Sequence, residues 1–483
     1  MSNSAEKSAI NRISSLVDEN SFVEIGGLVS ARSTDFNLQD VETPGDGVVT
    51  GYGVIDGNLV YVFSQDASVL GGSIGEMHAK KITNIYNLAM KMGAPVIGLI
   101  DCAGLRLQES TDALNAFGEI YAKQAMASGV IPQITAIFGN CGGGLGIVPT
   151  LSDFTFMSND GKLFVTSPNT LDGNNESKCD TASAKYQSEE TGLADFVGTE
   201  SEVLANIREL VSILPSNNEE EAAINDCEDD LNRVCADLAN CVEDTSIALA
   251  NISDNNFVCE VKASYAKEMV TAFIKLNGAT VGAVANRTKV YDDDMKVTDE
   301  FEARLTTAGA LKAAEFVEFC DAFNIPVVSF TNTKGFATTI EEEKTISKAV
   351  AKLTYAFANA TIPKVNVVLG HAFGSAFVAM NSKSIGADIV YAWPEAKIGT
   401  MCPNQAVRII YANEIKDTED KNTFIEEKAA EYKALQTSAS SAAKRGYVDS
   451  IIEPQDTRKY LIGALEMLYT KREERPIKKH GTV

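Results

Sequence analysis

The sequence predicts an α/β protein assembled as a tandem duplication, and three observations carry that expectation. First, two stretches recur at one offset: GAPVIGLIDCAG (93–104) against NIPVVSFTNTKG (324–335), and IPQITAIFGNCGGG (131–144) against IPKVNVVLGHAFGS (362–375). Pro95 and Pro326, Gly104 and Gly335, Pro132 and Pro363, and Gly139 and Gly370 all stand 231 residues apart, and chance does not hold one offset over so long a stretch. Second, the runs PVIGLI, QITAIFG, IPVVSF and KVNVVLG are short and unalternating, as strands covered on both faces are. Third, segments of helical period separate them: ALNAFGEIYAKQAMASG in one copy, KTISKAVAKLTYAFANA in the other. Strand, helix and strand in each copy imply a mostly parallel sheet under helical cover.

The elements follow in chain order. From Ala79, AKKITNIYNLAMKM sets Ile82, Ile85, Tyr86, Ala89, Met90 and Met92 at three- and four-residue spacing, one face of an amphipathic helix. Gly93 stops it and Pro95 keeps it from resuming. Ala89–Met92 also spell Ala-Met-Lys-Met, the run at which carrier domains attach biotin to lysine. A biotinyl lysine sits at a hairpin tip, whereas Lys91 falls in the last turn of a helix, where a cation suits the negative end. The second copy has Ala322 in its place. Lys91 reads as structural, not as a biotin site. After the strand at 133–139 comes GNCGGGLG, opening the next helix; SDFTFM (152–157) then parallels ADIVYA (387–392) with a few residues inserted. The acidic, alanine-rich stretch 216–246 joins the copies and predicts a surface helix with a solvated acidic face. The domains expected are 1–245 and 246–483.

Composition narrows the function. At 483 residues the chain is long enough for three domains or two large ones, and 45% hydrophobic with 22% charged residues is a soluble globular balance. A formal charge of -24 argues against nucleic acid and against a basic membrane anchor. The N-terminus lacks the apolar core of a signal peptide, and runs such as PVIGLI and VGAVA are too short for a bilayer. Nine cysteines include no C-x-x-C pair, and Cys227, Cys235 and Cys241 have no zinc-ligand spacing. Reduced thiols, no metal site and a cytoplasmic location are expected.

The glycine turns carry the chemistry. GNCGGGLG has neither the G-K-[ST] of a phosphate loop nor G-x-G-x-x-G spacing. It reads either as a tight strand-to-helix turn or as a place where backbone N–H groups meet an anion. Two copies at equal offset, each beside a second small-residue loop (DCAG, NTKG), favour a pair of anion sites. The three histidines, His78, His371 and His480, have no partner at triad or metal spacing. Such a site stabilises developing negative charge and takes its base from substrate or cofactor.

The pair CAG … CGGGLG resembles the crotonase superfamily (ClpP/crotonase fold), in which N–H groups at the Ala103 and Gly143 positions hold an acyl-CoA thioester oxygen. Crotonase-type hydratases carry a glutamate where this chain has Gly146. A longer resemblance covers nearly the whole chain: DENSFVEIG, TPGDGVVTGYGVIDGNLVYVFSQD, VLGGSIGEMHAKKI, SGVIPQI, LPSNN, FCDAFNIPVV, ATIPKV, AFGSAFVAMNSK, YAWPEAKI and the closing KKHG are similar to the carboxyltransferase subunits of biotin-dependent acyl-CoA carboxylases and decarboxylases.

That resemblance implies two crotonase-like units, 1–245 on the acyl-CoA side and 246–483 on the biotin side. It implies biotin on a separate carrier protein, not on this chain. Carboxybiotin breaks down to CO₂ and a biotin anion, which takes the α-proton so that the enolate attacks CO₂; the reverse direction decarboxylates. Gly143 and Gly144 would hold the thioester enolate with Ala103 and Gly104 beside them. Ser375 and Ala376 would hold the ureido oxygen with Gly335 and Gly374 beside them. Phe377 and Val378 would shape the acyl pocket; in propionyl-CoA enzymes an aspartate is common at the latter position. The family's usual Asp-Ser-Gly-Gly-Ala-Arg reads DCAGLR here, Gly-Gly-Ala-Tyr reads GSAF, and Val-Pro-Gly-Phe reads TKGF. Arg106 suits either a CoA phosphate or an ion pair with Glu109. The implied partners are a short-chain acyl-CoA (methylmalonyl-CoA or propionyl-CoA), a carrier protein, further copies in a hexamer built as a trimer of dimers, and, for a decarboxylase, a membrane-embedded subunit. An ATP-driven carboxylase beta chain on propionyl-CoA or acetyl-CoA is the alternative. A biotin-independent hydratase or thioesterase, or a non-catalytic assembly subunit, stands further off.

Overall fold

The computed structural model describes residues 8–476 and 478, apart from 33–35, 37, 39, 221–226 and 293. The closing KKHG with His480 lies outside the described residues except for Lys478. The chain divides into two compact units, Met1–Glu221 and Ala222–Val483.

In the first unit the short β1 (Val23–Glu24) pairs antiparallel with β2 (Val48–Ile55), which turns back into β3 (Asn58–Gln65). The turn is Asp56-Gly57, both at positive φ, the two-residue type that matches strand twist. From β3 onward the pairing is parallel, through β4 (Val96–Cys102), β5 (Gln133–Gly142) and β6 (Phe154–Ser158). β7 (Lys162–Phe164) pairs with the end of β5, and β8 (Phe196–Gly198) with β6. The helix Glu76–Met92 buries Ala79, Ile82, Ile85, Tyr86 and Ala89 in the core with Val96, Ile100 and Ile137. Lys91 is exposed in its last turn; Met92, assigned by spacing to the buried face, is 60% exposed where the helix ends.

The second unit repeats this sheet strand for strand. β9 (Val258–Val261) and the hairpin of β10 (Met269–Leu276) and β11 (Ala279–Asn286) are antiparallel, with Asn277-Gly278 at the turn. After the small ribbon of β12 (Lys289–Tyr291) and β13 (Val297–Glu300), the parallel run is β14 (Val327–Thr333), β15 (Lys364–Phe373) and β16 (Ile389–Ala392). β17 (Lys397–Gly399) pairs with β15, and β18 (Ser450–Ile451) with β16. Even the irregularities repeat. The ladder slips between Ile100 and Cys102 in one copy and between Thr331 and Thr333 in the other. Isolated bridges join Ile74 to Leu105 and Leu305 to Phe336. The expected duplication and mostly parallel sheets are therefore real, with an antiparallel hairpin on one edge.

The joining segment differs from expectation. Among the described residues, 227–244 hold no α-helix, only the 3₁₀ turn Leu238–Asn240. Asp230 accepts the Asn232 N–H at 2.9 Å, the local bonding by which Asp and Asn compete with helix. Arg233 pairs with Asp229 at 3.0 Å and donates to the Asn251 and Ser253 carbonyls at the end of the helix Thr245–Ile252. Cys235 and Leu238 are buried with Leu249, Ile252 and Val270. The segment before residue 246 thus packs into the second unit's core.

One duplicated device differs in charge. In the second unit Asp388 accepts the Lys364 N–H and the Lys471 ammonium, both at 2.8 Å. Its counterpart Asp153 accepts the Gln133 N–H at 2.7 Å and, among the described residues, meets no cation. Burial pushes its carboxyl up to about 7, the Gln133 bond opposing. A carboxyl raised in the folded state costs nothing below the unfolded value near 4 and destabilises progressively as pH rises to about 7. Asp153→Asn is expected to match the wild type in thermal unfolding at pH 4 and to exceed it at pH 8 by on the order of 1–3 kcal/mol.

Candidate active site: the two glycine turns

In the first unit Cys102 on β4 and Cys141 on β5 are ladder partners, so Gly104 and Gly143 each lie two residues beyond a paired position. A Cβ on Gly104 would stand 3.7 Å from the Gly142 carbonyl oxygen: the two loops run side by side. The CAG loop is zipped to the preceding 71–74 segment. Ala103 N–H donates to Gly71 O at 2.9 Å, and Gly104 O accepts Ile74 N–H at 2.9 Å. The Ala103 amide, the donor position of the crotonase pattern, is therefore already engaged. Gly104 N–H points at Cys102 Sγ, 3.2 Å away, a weak acceptor.

Gly143 opens a single turn, Gly143–Gly146, at φ +65°, and a Cβ there would meet nothing within 4 Å. The first N–H groups of such a turn have no partner inside it. Two residues absent from the sequence expectations hold the turn and the short helix Ile147–Thr150 that follows it. Tyr121, on the helix Ser110–Ala127, donates its hydroxyl to the Gly144 carbonyl, and Gln124 Nε2 donates to Val148 O at 3.1 Å. Their i, i+3 spacing on one helix was the available signal. At Gly146 a Cβ would sit 2.9 Å from the Phe164 carbonyl oxygen, so the glutamate of a hydratase has no room.

The second unit repeats the arrangement around Thr333 and Ala372, with Gly335 and Gly374 again two residues beyond. Lys334 N–H donates to Ala303 O at 2.7 Å and Gly335 O accepts Leu305 N–H at 2.9 Å. Gly374, at φ +63°, starts the helix Gly374–Ala379, in which Ser375 is exposed, Ala376 buried and Phe377 half-buried. Val378 is exposed, and its carbonyl accepts the Ser382 hydroxyl at 2.9 Å. Beneath the turn, Asn332 N–H donates to Asn286 Oδ1 and His371 N–H to Asn332 Oδ1, both at 2.9 Å.

The thiols and imidazoles near the turns are not activated as bases or nucleophiles. Burial pushes the Cys102 thiol up to about 12 and Cys141 well above its ordinary value. His78 is buried between Gln65 and the Asp46 carbonyl, and burial drives it down to about 3. Burial, with Lys334 and Lys397 adding, takes His371 down to about 4. Arg106 is settled as structural: it is 1% exposed and its Nη1 meets Asp46 Oδ1 at 2.6 Å and Glu109 Oε1 at 2.8 Å. Among the described residues no group of His, Cys, Asp and Glu could hold a metal ion, and no helix is long and apolar enough to cross a membrane.

The carboxyl transferase domain matches residues 3–483. The chain belongs to the carboxyl transferase family. The methylmalonyl-CoA decarboxylase subunit alpha of Veillonella parvula is 42% identical over 98% of this chain and 92% of its own length. The methylmalonyl-CoA carboxyltransferase 12S subunit of Propionibacterium freudenreichii subsp. shermanii is 37% identical over 99% and 91%. A crystal structure of transcarboxylase 12S, a hexamer with methylmalonyl-coenzyme A and methylmalonic acid bound, superposes with TM-score 0.93 at 37% identity, covering 98% of this chain and 91% of that one. Each unit is thus a crotonase-like carboxyl transferase unit, and the chain is an enzyme of that class.

Proposed function

We propose that this chain is the carboxyltransferase subunit that moves a carboxyl group between biotin on a separate carrier protein and the α-carbon of a short-chain acyl-CoA, methylmalonyl-CoA and propionyl-CoA being the pair. The observation that carries the reading is the same glycine turn, with the same strand slip beside it, at equivalent strand ends of both units. Two oxyanions arise in this reaction, one on the thioester and one on the ureido ring, and two donor turns answer them. Gly143 and Gly144 stabilise the thioester enolate, with Gly104 and Ala103 closing the site. Gly374, Ser375 and Ala376 stabilise the ureido oxygen, with Gly335 alongside.

At the second turn a Cβ on Gly374 would lie 3.3 Å from Thr400 O, so glycine lets the turn pack closely there, and Ser375 is exposed. Biotin on its carrier would supply the carboxyl acceptor and the proton for the α-carbon in decarboxylation, and the base for that proton in the reverse direction, which agrees with the inert thiols and unprotonated imidazoles around the turns. Phe377 and Val378, on the same short helix as the ureido turn, would border the acyl group where it meets biotin. The hexamer of the transcarboxylase 12S structure supports a hexamer here, and the alpha-subunit relatives favour the decarboxylase direction; a membrane-embedded decarboxylase subunit is the further partner we propose on that reading.

The test is loss of CO₂ from methylmalonyl-CoA and malonyl-CoA by the purified chain, with and without free biotin or a biotinylated carrier. Biotin-dependent release is expected, faster from methylmalonyl-CoA. Consumption that ignores biotin would overturn the reading in favour of a crotonase-type reaction. No turnover with either thioester would leave an assembly subunit.

A further inference from the structure

The two copies differ in charge on one side of the second turn. In the first unit Lys162 on β7 is closed off by Glu176 at 3.2 Å and by Asp180. Its counterpart Lys397 on β17 is exposed and, among the described residues, has no carboxylate in ion-pair contact. Lys397 is the ladder partner of His371, and directly paired residues project to one face of a sheet. Lys334 stands where the first unit has Ala103; it too is exposed, without a carboxylate partner among the described residues. Both ammonium groups lie close enough to act on His371. That residue is itself anchored by Asn332, with its ring 5.6 Å from that of Phe373. The neighbouring Arg304 does not belong with them, since Glu302 neutralises it at 2.6 Å. In a chain of net charge -24, two uncompensated cations beside one glycine turn mark a place that an anion completes.

We propose that Lys334 and Lys397, flanking His371 beside the Gly335 and Gly374 loops, form a carboxylate subsite that holds the carboxyl group while it is attached to the biotin ureido nitrogen. The inference rests on reading the second unit as the biotin side. A carboxylated ureido ring differs from the bare ring by one negative charge, so two ammonium donors discriminate the loaded carrier from the unloaded one. The neutral imidazole between them adds a hydrogen bond without adding charge.

The experiment is a saturation-transfer NMR titration of the full chain with two probes, biotin amide and N-carboxymethyl biotin amide, the second a stable stand-in carrying the extra carboxylate. The wild type is expected to bind the carboxymethyl compound about tenfold more tightly. K334Q/K397Q is expected to erase that preference, K334R to keep it, and affinity for propionyl-CoA to stay unchanged in all. Both lysines are exposed, so unaltered thermal unfolding accompanies the result. A preference that survives in the double variant overturns the subsite. So does a parallel loss of propionyl-CoA affinity, which would assign the cations to the phosphates of CoA. Absence of biotin binding together with absence of biotin-dependent turnover in the wild type would instead remove the underlying functional reading.

Discussion

Gly143→Ala is expected to lower kcat for biotin-dependent decarboxylation by about 10²–10³-fold while the chain stays folded. The two halves of that expectation have separate causes. A Cβ at Gly143 would find open space, so no clash drives unfolding. What it meets is the backbone: φ is +65°, a conformation that costs an L-residue roughly 1–2 kcal/mol. The turn relieves that strain by rotating, and its leading N–H groups swing away from the developing oxyanion. Donors aimed at charge that exists only in the transition state affect kcat more than KM. Steady-state kinetics with methylmalonyl-CoA, alongside circular dichroism and thermal unfolding, checks it. Unchanged kcat would exclude Gly143 as a donor.

Arg106→Met is expected to destabilise the first unit by about 3–5 kcal/mol, the cost of removing one partner from a buried ion pair. The guanidinium sits between Asp46 and Glu109 and also donates to the Ser73 carbonyl at 2.7 Å. The same two carboxylates accept the backbone N–H groups of His78, at 2.8 Å, and of Glu76, at 2.6 Å. Together they lock the start of the helix Glu76–Met92 to the loop that carries Gly104. Burial raises the Asp46 carboxyl even with the arginine present. Without that cation, two buried carboxylates face each other, and a lysine cannot reproduce the fork. Urea unfolding of Arg106→Met and Arg106→Lys should show the first unit melting early. Normal stability with a raised KM for acyl-CoA would instead return Arg106 to the CoA phosphates.

Much of the fold is legible in the chain because its determinants are local. Buried strands announce themselves as unbroken apolar runs, and helix periods repeat every three or four residues. A duplication preserves one offset, which locates Gly104 with Gly335 and places the turn at Gly143 opposite the one at Gly374. The hairpin signals Asp56-Gly57 and Asn277-Gly278 are equally local, since few other residue pairs adopt positive φ at both positions.

What the sequence misreads or leaves open is decided by residues far apart in the chain. Helical spacing of Ala, Leu and Val in 216–246 suggested a solvated helix, but Arg233 and Cys235 are held by the backbone around 251–253, which no local pattern encodes. Arg106 has Glu109 three positions away, yet its deciding partner Asp46 comes from sixty residues upstream. The sequence by itself determined the duplication, the strand and helix order and the sites of both glycine turns, since propensity and backbone conformation act within a few residues. Only the tertiary structure decided which polar groups and charges are engaged: the bonded Ala103 amide, the closed-off Lys162 and the open Lys397 differ through partners brought by other strands and loops, and electrostatic energy depends on distance in space.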